Sequence, residues 1–417
     1  MKLSAIRFRP AAFAFGVLLS LGMHAGAATI TAASCSATDV GAAINAASNG
    51  DTVVIPNGSC TWTSGITMSK QITLRGASVD GVTISHGAGS GTLLTVNIGS
   101  SARTRISNLR FMPGNGTGVY IQVNGAGLTP VMQDVYFNIP HFQLQHAVRW
   151  FVKGGVISRA TFESTDYTSS VYGSESGCLQ VKGGGSWLAP STLGILDSDG
   201  TNNLYIEDSV FKYVGQCPDV DDMGRVVVRR SQFIGSSGLT HGTTSSDGGR
   251  QVELYDNTFT YPNTSRNLNR YFWWRAGTAV ITRNSVQSIS GQMYGSKPSW
   301  TFVVENARRS GPPGCCTSYP CWHQPGAGAN GSSQISDPVY FWDNTGTGAT
   351  YVGTNEGEPA NCGTTYSTTD FFKQNRDYFV NSGAKPGYAS YPYPHPLAQD
   401  SGAQPPSVPA PSGLQVR

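Results

Sequence analysis

Between Asp221 and Arg275 the chain gathers most of the side chains that could do chemistry. Adjacent Asp221 and Asp222 are paired carboxylates, which can bind calcium or serve as acid and base in hydrolysis. Glu253 is a third candidate calcium ligand. His241 can carry protons, since an unperturbed imidazole titrates near ~6.5, and Tyr255 can do so if its pKa is tuned. Arg229, Arg250 and Arg275 can neutralise a carboxylate or, suitably perturbed, act as bases. Glu207, Arg225 and Arg270 add polar binding groups, and Trp273 and Trp274 offer faces for stacking on sugar rings.

These residues must be positioned by a repeat. The segments Ile106 to Phe111, Met132 to Phe137, Ile157 to Phe162, Ile206 to Phe211, Val228 to Phe233, Leu254 to Phe259 and Ile281 to Val286 share one pattern, apolar at both ends with mostly polar or small residues between. Their final residues are spaced by 26, 25, 49, 22, 26 and 27 positions, where 49 reads as two turns with one degenerate. Such a period signals a solenoid. Strand-like units with no helix between them make it an all-β, single-stranded parallel β-helix. Parity then assigns the faces, because alternate residues of a strand point to opposite sides. Counting back from each terminal Phe or Val, the fifth and seventh residues point inward and the fourth, sixth and eighth outward. Glu207, Arg229 and Tyr255 therefore form an exposed polar column on successive coils, with Arg225 and Glu253 beside it. Arg250 falls in the turn before its strand, within reach of the groove or of Asp247.

The ends of a β-helix need covers, because an open strand edge invites aggregation. A short amphipathic helix over Asp39 to Ala47, stopped by Asn49 and Gly50, suits the first end, and the aromatic, Pro-rich stretch from Asp377 to Leu397 suits the other. Ala43 to Ala47, Gly50 to Pro56 and Ile72 to Gly76 resemble the opening of the pectate-lyase-like right-handed β-helix superfamily. The resemblance extends as a pattern to about residue 397. It implies a right-handed β-helix that binds a polysaccharide in a groove along one outward sheet face, and fits an enzyme cleaving a uronate-containing glycan by β-elimination. Asp221-Asp222 followed by His241-Gly242 loosely echoes the polygalacturonases of the same fold, which makes hydrolysis the alternative. Non-catalytic glycan binding is a third reading. The Trp-Ile-Asp-His and Arg-x-Pro-x-x-Arg elements of pectate lyases are absent, as are the Asn-Thr-Asp and Arg-Ile-Lys elements of polygalacturonases, so no subfamily follows.

Composition narrows the partners. Only 13% of residues are charged, and Gly supplies 51 of 417, against roughly 25% and ~7% in ordinary proteins. Residues 1–27 read as a secretory signal, with Lys2, Arg7 and Arg9 before an apolar stretch and small residues at Ala25 to Ala27. Without them, 25 cations face 25 anions, which argues against nucleic acid as a partner. No later apolar run is long enough to span a bilayer. The expectation is a secreted, monomeric domain over 28–397, followed by a Pro/Ser/Gly-rich linker over 398–417 whose last residues resemble the start of a fibronectin type III module.

Eight cysteines in an exported chain imply disulfides. Proximity favours Cys35 with Cys60 and Cys178 with Cys217, leaving Cys315, Cys316, Cys321 and Cys362 to staple the loop from Arg308 to Gln334. His86, His141, His146, His323 and His395 read as structural residues. Lys182 before a bare Gly run implies no nucleotide site. The absence of a helix-linked Gly-x-Ser-x-Gly disfavours a serine hydrolase.

Overall fold

A computed structural model describes residues 26–140, 146–165, 177–184, 199–241, 248–262, 268, 270–289, 293–294, 297–298, 301–305, 319–320, 323–329, 333–349, 352–355 and 373–399. They wind into a right-handed parallel β-helix, the hand expected of parallel crossovers. A representative coil runs through Arg225–Arg229, Gln232–Ile234 and Gly238–Thr240 before Gln251–Tyr255 opens the next. Stacked coils thus build three strand ladders. The first and second merge where Arg105–Met112 and Val131–Asn138 run through the corner between them. The third is a separate ten-stranded sheet that includes Leu179–Lys182, Asp219–Asp221, Gly238–Thr240 and Phe272–Trp274.

The interior follows from the repeat. Ile106, Met132, Ile157, Ile206, Val228, Leu254 and Ile281 pair in register along the first ladder and point into one core. The terminal Phe residues form a second buried file. Phe111, Phe137, Phe162, Phe211, Phe233 and Phe259 stack with centroids 5.3, 5.0, 5.4, 4.6 and 4.6 Å apart. Such contacts add about 0.5–1.5 kcal/mol per pair beyond area burial. Phe162 stacks directly on Phe211 and pairs with it in register. The 49-residue interval is therefore one coil with inserted segments, correcting the reading of two turns.

A left-handed corner separates the first and second ladders. Asn108, Asp134, Arg159, Asp208, Arg230, Asp256, Arg283 and Asp343 have φ between 50° and 59°. Asn and Asp tolerate this conformation better than most residues, while arginine does so at a cost. Side chains offset it. Arg159 makes a two-pronged pair with Asp134 at 2.7 Å, and Arg283 repeats the arrangement with Asp256. Just inside the corner, the Asn257 and Asn284 amides donate to Val228 O and Leu254 O, and each carbonyl accepts a backbone N–H from the preceding coil.

At the first end lies a helix over Ala37–Ala46, capped by Ser36 Oγ accepting from Asp39 N, with Val40, Ala43 and Ile44 buried. The expected bridges Cys35–Cys60 and Cys178–Cys217 are both present. Cys315, Cys316, Cys321 and Cys362 lie outside the described residues, as do the signal-like segment through Ala25 and the tail beyond Gln399. The stretch expected to close the far end does something else. Tyr378–Val380 is the last strand of the first ladder, and residues 385–399 then run back across the outward face of that ladder. Ala398 is buried against Val131 and Val156. Phe233→Ala, which removes a ring stacked on both sides, is expected to cost about 3–5 kcal/mol, read as a lower denaturation midpoint with a proportionate loss of extrapolated stability.

Candidate functional site

The structure aligns the predicted column but closes it off. Gln133, Ser158, Glu207, Arg229, Tyr255 and Thr282 stand in register on successive coils. Glu207 and Arg229 are nevertheless 0% exposed, and Tyr255 1%. The returning tail covers them. Arg229 Nε donates to Glu207 Oε1 at 2.9 Å, while its two terminal nitrogens donate to Tyr391 O and Pro392 O at 2.8 Å and to the Tyr255 hydroxyl at 3.0 Å. The backbone N–H of His395 donates to Glu207, and Tyr205 and Tyr393 flank the guanidinium. The expected exposed groove on this face is therefore corrected: the outward side chains bind the chain's own tail.

The neighbouring candidates share that fate. Arg225 is buried and bonded to Gln251, whereas Glu253 accepts from Gln251 and from the Tyr388 hydroxyl. Arg250 lies in the turn as expected. It is fully buried, and its partner is Asp337, which also takes Lys385 at 2.8 Å. Asp247 lies outside the described residues. Trp274 points inward and packs at a tilt against Phe272 and Phe302, fully buried, so it presents no face to a sugar. Burial pushes the Glu207 carboxyl up, opposed by Arg229, and pushes Tyr255 up to about 12. Burial, with the charges of Arg229 and Arg103, pulls His395 down to about 4.

The third ladder carries a different constellation. Gln180 and Lys182 pair in register with Asp219 and Asp221. His241 follows the strand Gly238–Thr240, and its N–H bonds to Val220 O, so it stands on the coil after Asp221. Arg275 follows Phe272–Trp274 one coil further. Lys182, Asp221, His241 and Arg275 thus occupy successive coils about 4.8 Å apart. Asp219 is the hub. Its Oδ1 lies 2.6 Å from His241 Nδ1, and its Oδ2 lies 2.9 Å from His146 Nε2, the second approach being close but poorly aligned for a hydrogen bond. Burial alone would raise the Asp219 pKa, but the two imidazoles win and hold it down at about 2. An ionised Asp219 can only accept, so Nδ1 of a neutral His241 carries the proton and Nε2 keeps its lone pair. The His241 side chain is 33% exposed, against 1% for Asp219. A buried carboxylate orienting a half-exposed imidazole is the arrangement of a general base.

Cations stand on the coils to either side of this dyad. Lys182 Nζ sits 3.1 Å from Asp221 and 2.8 Å from Asp222. Arg270 and Arg275 lie 3.6 and 3.5 Å from the Trp273 ring centroid. Each guanidinium gains about 0.5–2 kcal/mol from the ring, so the Trp273 ring that the sequence offered to a sugar is engaged by the chain's own arginines.

The three carboxylates nominated for calcium are not brought together. Asp221 and Asp222 converge on Lys182, and Glu253 belongs to the first ladder under Tyr388. Among the described residues no group of three or more His, Cys, Asp or Glu side chains is arranged to hold a metal ion. Sequence reasoning missed Asp219 and Lys182 and set His146 aside as structural. Gln180-x-Lys182 and Asp219-x-Asp221 carry the alternation that would have placed them on one face.

Fold and site together define a parallel β-helix protein with an Asp–His dyad and a cluster of cations on one sheet face. No family model and no curated protein matches the chain. Its structure is similar to an alginate lyase from Paenibacillus sp. str. FPU-7, with 16% identity over 62% of this chain and 94% of that one, TM-score 0.36. It is similar also to a PL6 family polysaccharide lyase from Pseudopedobacter saltans, with 14% identity over 85% and 82%, TM-score 0.42. A pectin methylesterase from Aspergillus niger gives 13% identity over 83% and 93%, TM-score 0.33. At these identities the likeness is one of fold.

Two outcomes follow for the covered face. Arg229→Ala leaves Glu207 buried without its cation and is expected to cost about 3–5 kcal/mol, seen as a lower melting temperature and faster proteolysis within 388–399. His395 has a folded pKa of about 4, below its unfolded value near ~6.5. Its contribution is complete above pH ~6.5 and lost as pH falls toward 4. His395→Gln should therefore flatten the fall in melting temperature over that window; an unchanged slope would remove His395 as the cause.

Proposed function

We propose that this is an exported carbohydrate-active protein that cleaves a uronate-containing polysaccharide by β-elimination on the outward face of the third ladder. One observation carries the reading: Asp219 holds His241 Nδ1 at 2.6 Å, leaving Nε2 as a base one coil from Arg275 and two coils from Lys182. His241 Nε2 takes the proton from the carbon next to the substrate carboxylate. Arg275, on the adjoining coil, neutralises that carboxylate and so acidifies the C–H bond. The electron pair forms a double bond as the bond to the glycosidic oxygen breaks. Lys182 donates a hydrogen bond to the departing oxygen, which takes its proton from solvent. The chain's own residues cover each of these needs, and no step is routed through calcium, whose nominated ligands lie apart. Arg229, Arg250 and Tyr255 become structural residues in this account. Export is supported by the two disulfides, which persist in oxidising compartments. Among the described residues no helix is long and apolar enough to cross a membrane.

Hydrolysis has one observation in its favour. Burial and the neighbouring Asp222 push the Asp221 carboxyl up, as suits a general acid. The products separate the two. Incubation with alginate, polygalacturonate and other uronate polymers is expected to release ends with the ultraviolet absorbance of an unsaturated uronyl group. His241→Ala and Asp219→Asn should each slow this release by about a hundredfold or more. Reducing ends without that absorbance would select hydrolysis through Asp221 and Asp222. Binding without either product would leave a glycan-binding protein.

A further inference from the structure

Asp219 has two oxygens, and the dyad uses only one of them. Oδ1 faces His241 Nδ1 at 2.6 Å, while Oδ2 faces His146 Nε2 at 2.9 Å. Both atoms of the second contact are buried, and neither makes a hydrogen bond to any other group. His146 does not come from the coil next to Asp219. Ala147 N donates to Gly177 O, Val148 pairs with Leu179, and Gln180 pairs with Asp219. The imidazole therefore crosses one whole coil to meet the carboxylate, and Gly177 stands where it crosses. A Cβ at Gly177 would lie 3.1 Å from Cα, Cγ and Cδ2 of His146, so a side chain there would push the ring aside. Cys178, bridged to Cys217, ties this point to the strand that carries Asp219.

Two rings on one carboxylate do not titrate independently. Burial would raise the Asp219 carboxyl, and the rings hold it down at about 2. An imidazolium at His146 repels a second one at His241, so the protons of the three groups are coupled. We infer that His146 is a positioning residue for the dyad. It holds the second oxygen of Asp219 across Gly177 and, by taking a share of the carboxylate's charge, keeps His241 a neutral proton acceptor. Without His146 the whole charge of Asp219 falls on His241, which then keeps its proton to higher pH. Among the described residues, the other charged side chains on or beside these strands of the third ladder are Arg149, Lys182, Asp221 and Asp222, with Arg270 and Arg275 one coil beyond His241. The substitutions below alter none of them. The catalytic consequence rests on the β-elimination reading, whereas the coupling of the two rings through Asp219 does not.

The test follows the titration of His241 directly by nuclear magnetic resonance. The full chain is labelled with carbon-13 at histidine Cε1, and the His241 signal is identified by its loss in His241→Ala. His146→Gln keeps an N–H donor but cannot carry charge, and is expected to move the His241 midpoint up by about one pH unit. His146→Ala should move it at least as far. Gly177→Ala leaves every titrating group in place but displaces the ring, and should reproduce part of the shift; no shift there overturns the crossing. A midpoint unmoved in both His146 variants overturns the inference, and the melting temperature of His146→Gln reports whether the fold is intact. With a uronate polymer as substrate, the acid limb of kcat should rise with the midpoint. The upper plateau should fall about tenfold in His146→Ala and be largely rescued in His146→Gln. A lower plateau in both with an unmoved acid limb would make His146 a structural residue only. Should no uronate polymer be cleaved, the β-elimination reading fails, while the titration, which needs no substrate, still decides the inference.

Discussion

The molecule depends on in-register stacking of one coil upon the next. The side chains of the third ladder are placed by the coil spacing, and that spacing is set where the chain has no freedom to slip. The Phe file and the left-handed corner share this task. A corner residue held at positive φ bends each coil at the same point, so the first and second strands leave it in a fixed relation. The amides of Asn257 and Asn284 then tie each bend to its neighbour through backbone N–H and C=O groups. A one-residue slip in any strand would turn its aliphatic side chains to solvent and its polar ones into the core.

Because the ladders are rigid, side chains far apart in sequence meet with little local strain. The Cys178–Cys217 bridge closes just ahead of Leu179–Lys182 and Asp219–Asp221, the two strands that bring Lys182 beside Asp221 and present Asp219 to His241. Asp219 is desolvated and would be costly to ionise alone; two imidazoles make it an anion that fixes the ring of His241. Burial thus serves orientation here, while the exposed edge of His241 stays available to a ligand.

The fold was legible in the sequence because its cause is periodic. Apolar residues recur once per coil, and parity placed Glu207, Arg229 and Tyr255 in their true column. Which face stays open was not legible. The cover comes from residues 385–399, 162 positions beyond Arg229 in the case of Tyr391, and nothing periodic announces it. A buried Arg–Glu–Tyr column and an active-site column look alike when only the pattern of residue types is read. His241, Arg270, Trp273 and Arg275 could be nominated from composition and spacing. Asp219, the group that gives His241 a direction, lies on the third ladder, where strands of three and four residues carry only the short alternation Gln180-x-Lys182 and Asp219-x-Asp221.

The returning tail meets the coils in broadly descending order, from the last toward the first. Lys385 reaches Asp337 and Thr278, Tyr388 reaches Glu253, Tyr391 and Pro392 reach Arg229, His395 reaches Glu207, Ala398 reaches Gln133 and Leu397 reaches Arg105. A solenoid coupled only through nearest neighbours can gain or drop a repeat and remain well formed. Here a duplicated or deleted winding between Gln133 and Asp337 would put each mark on the tail one step out of phase with its counterpart. The peptide therefore works as a molecular ruler, and the architecture carries within itself a specification of how many turns it has.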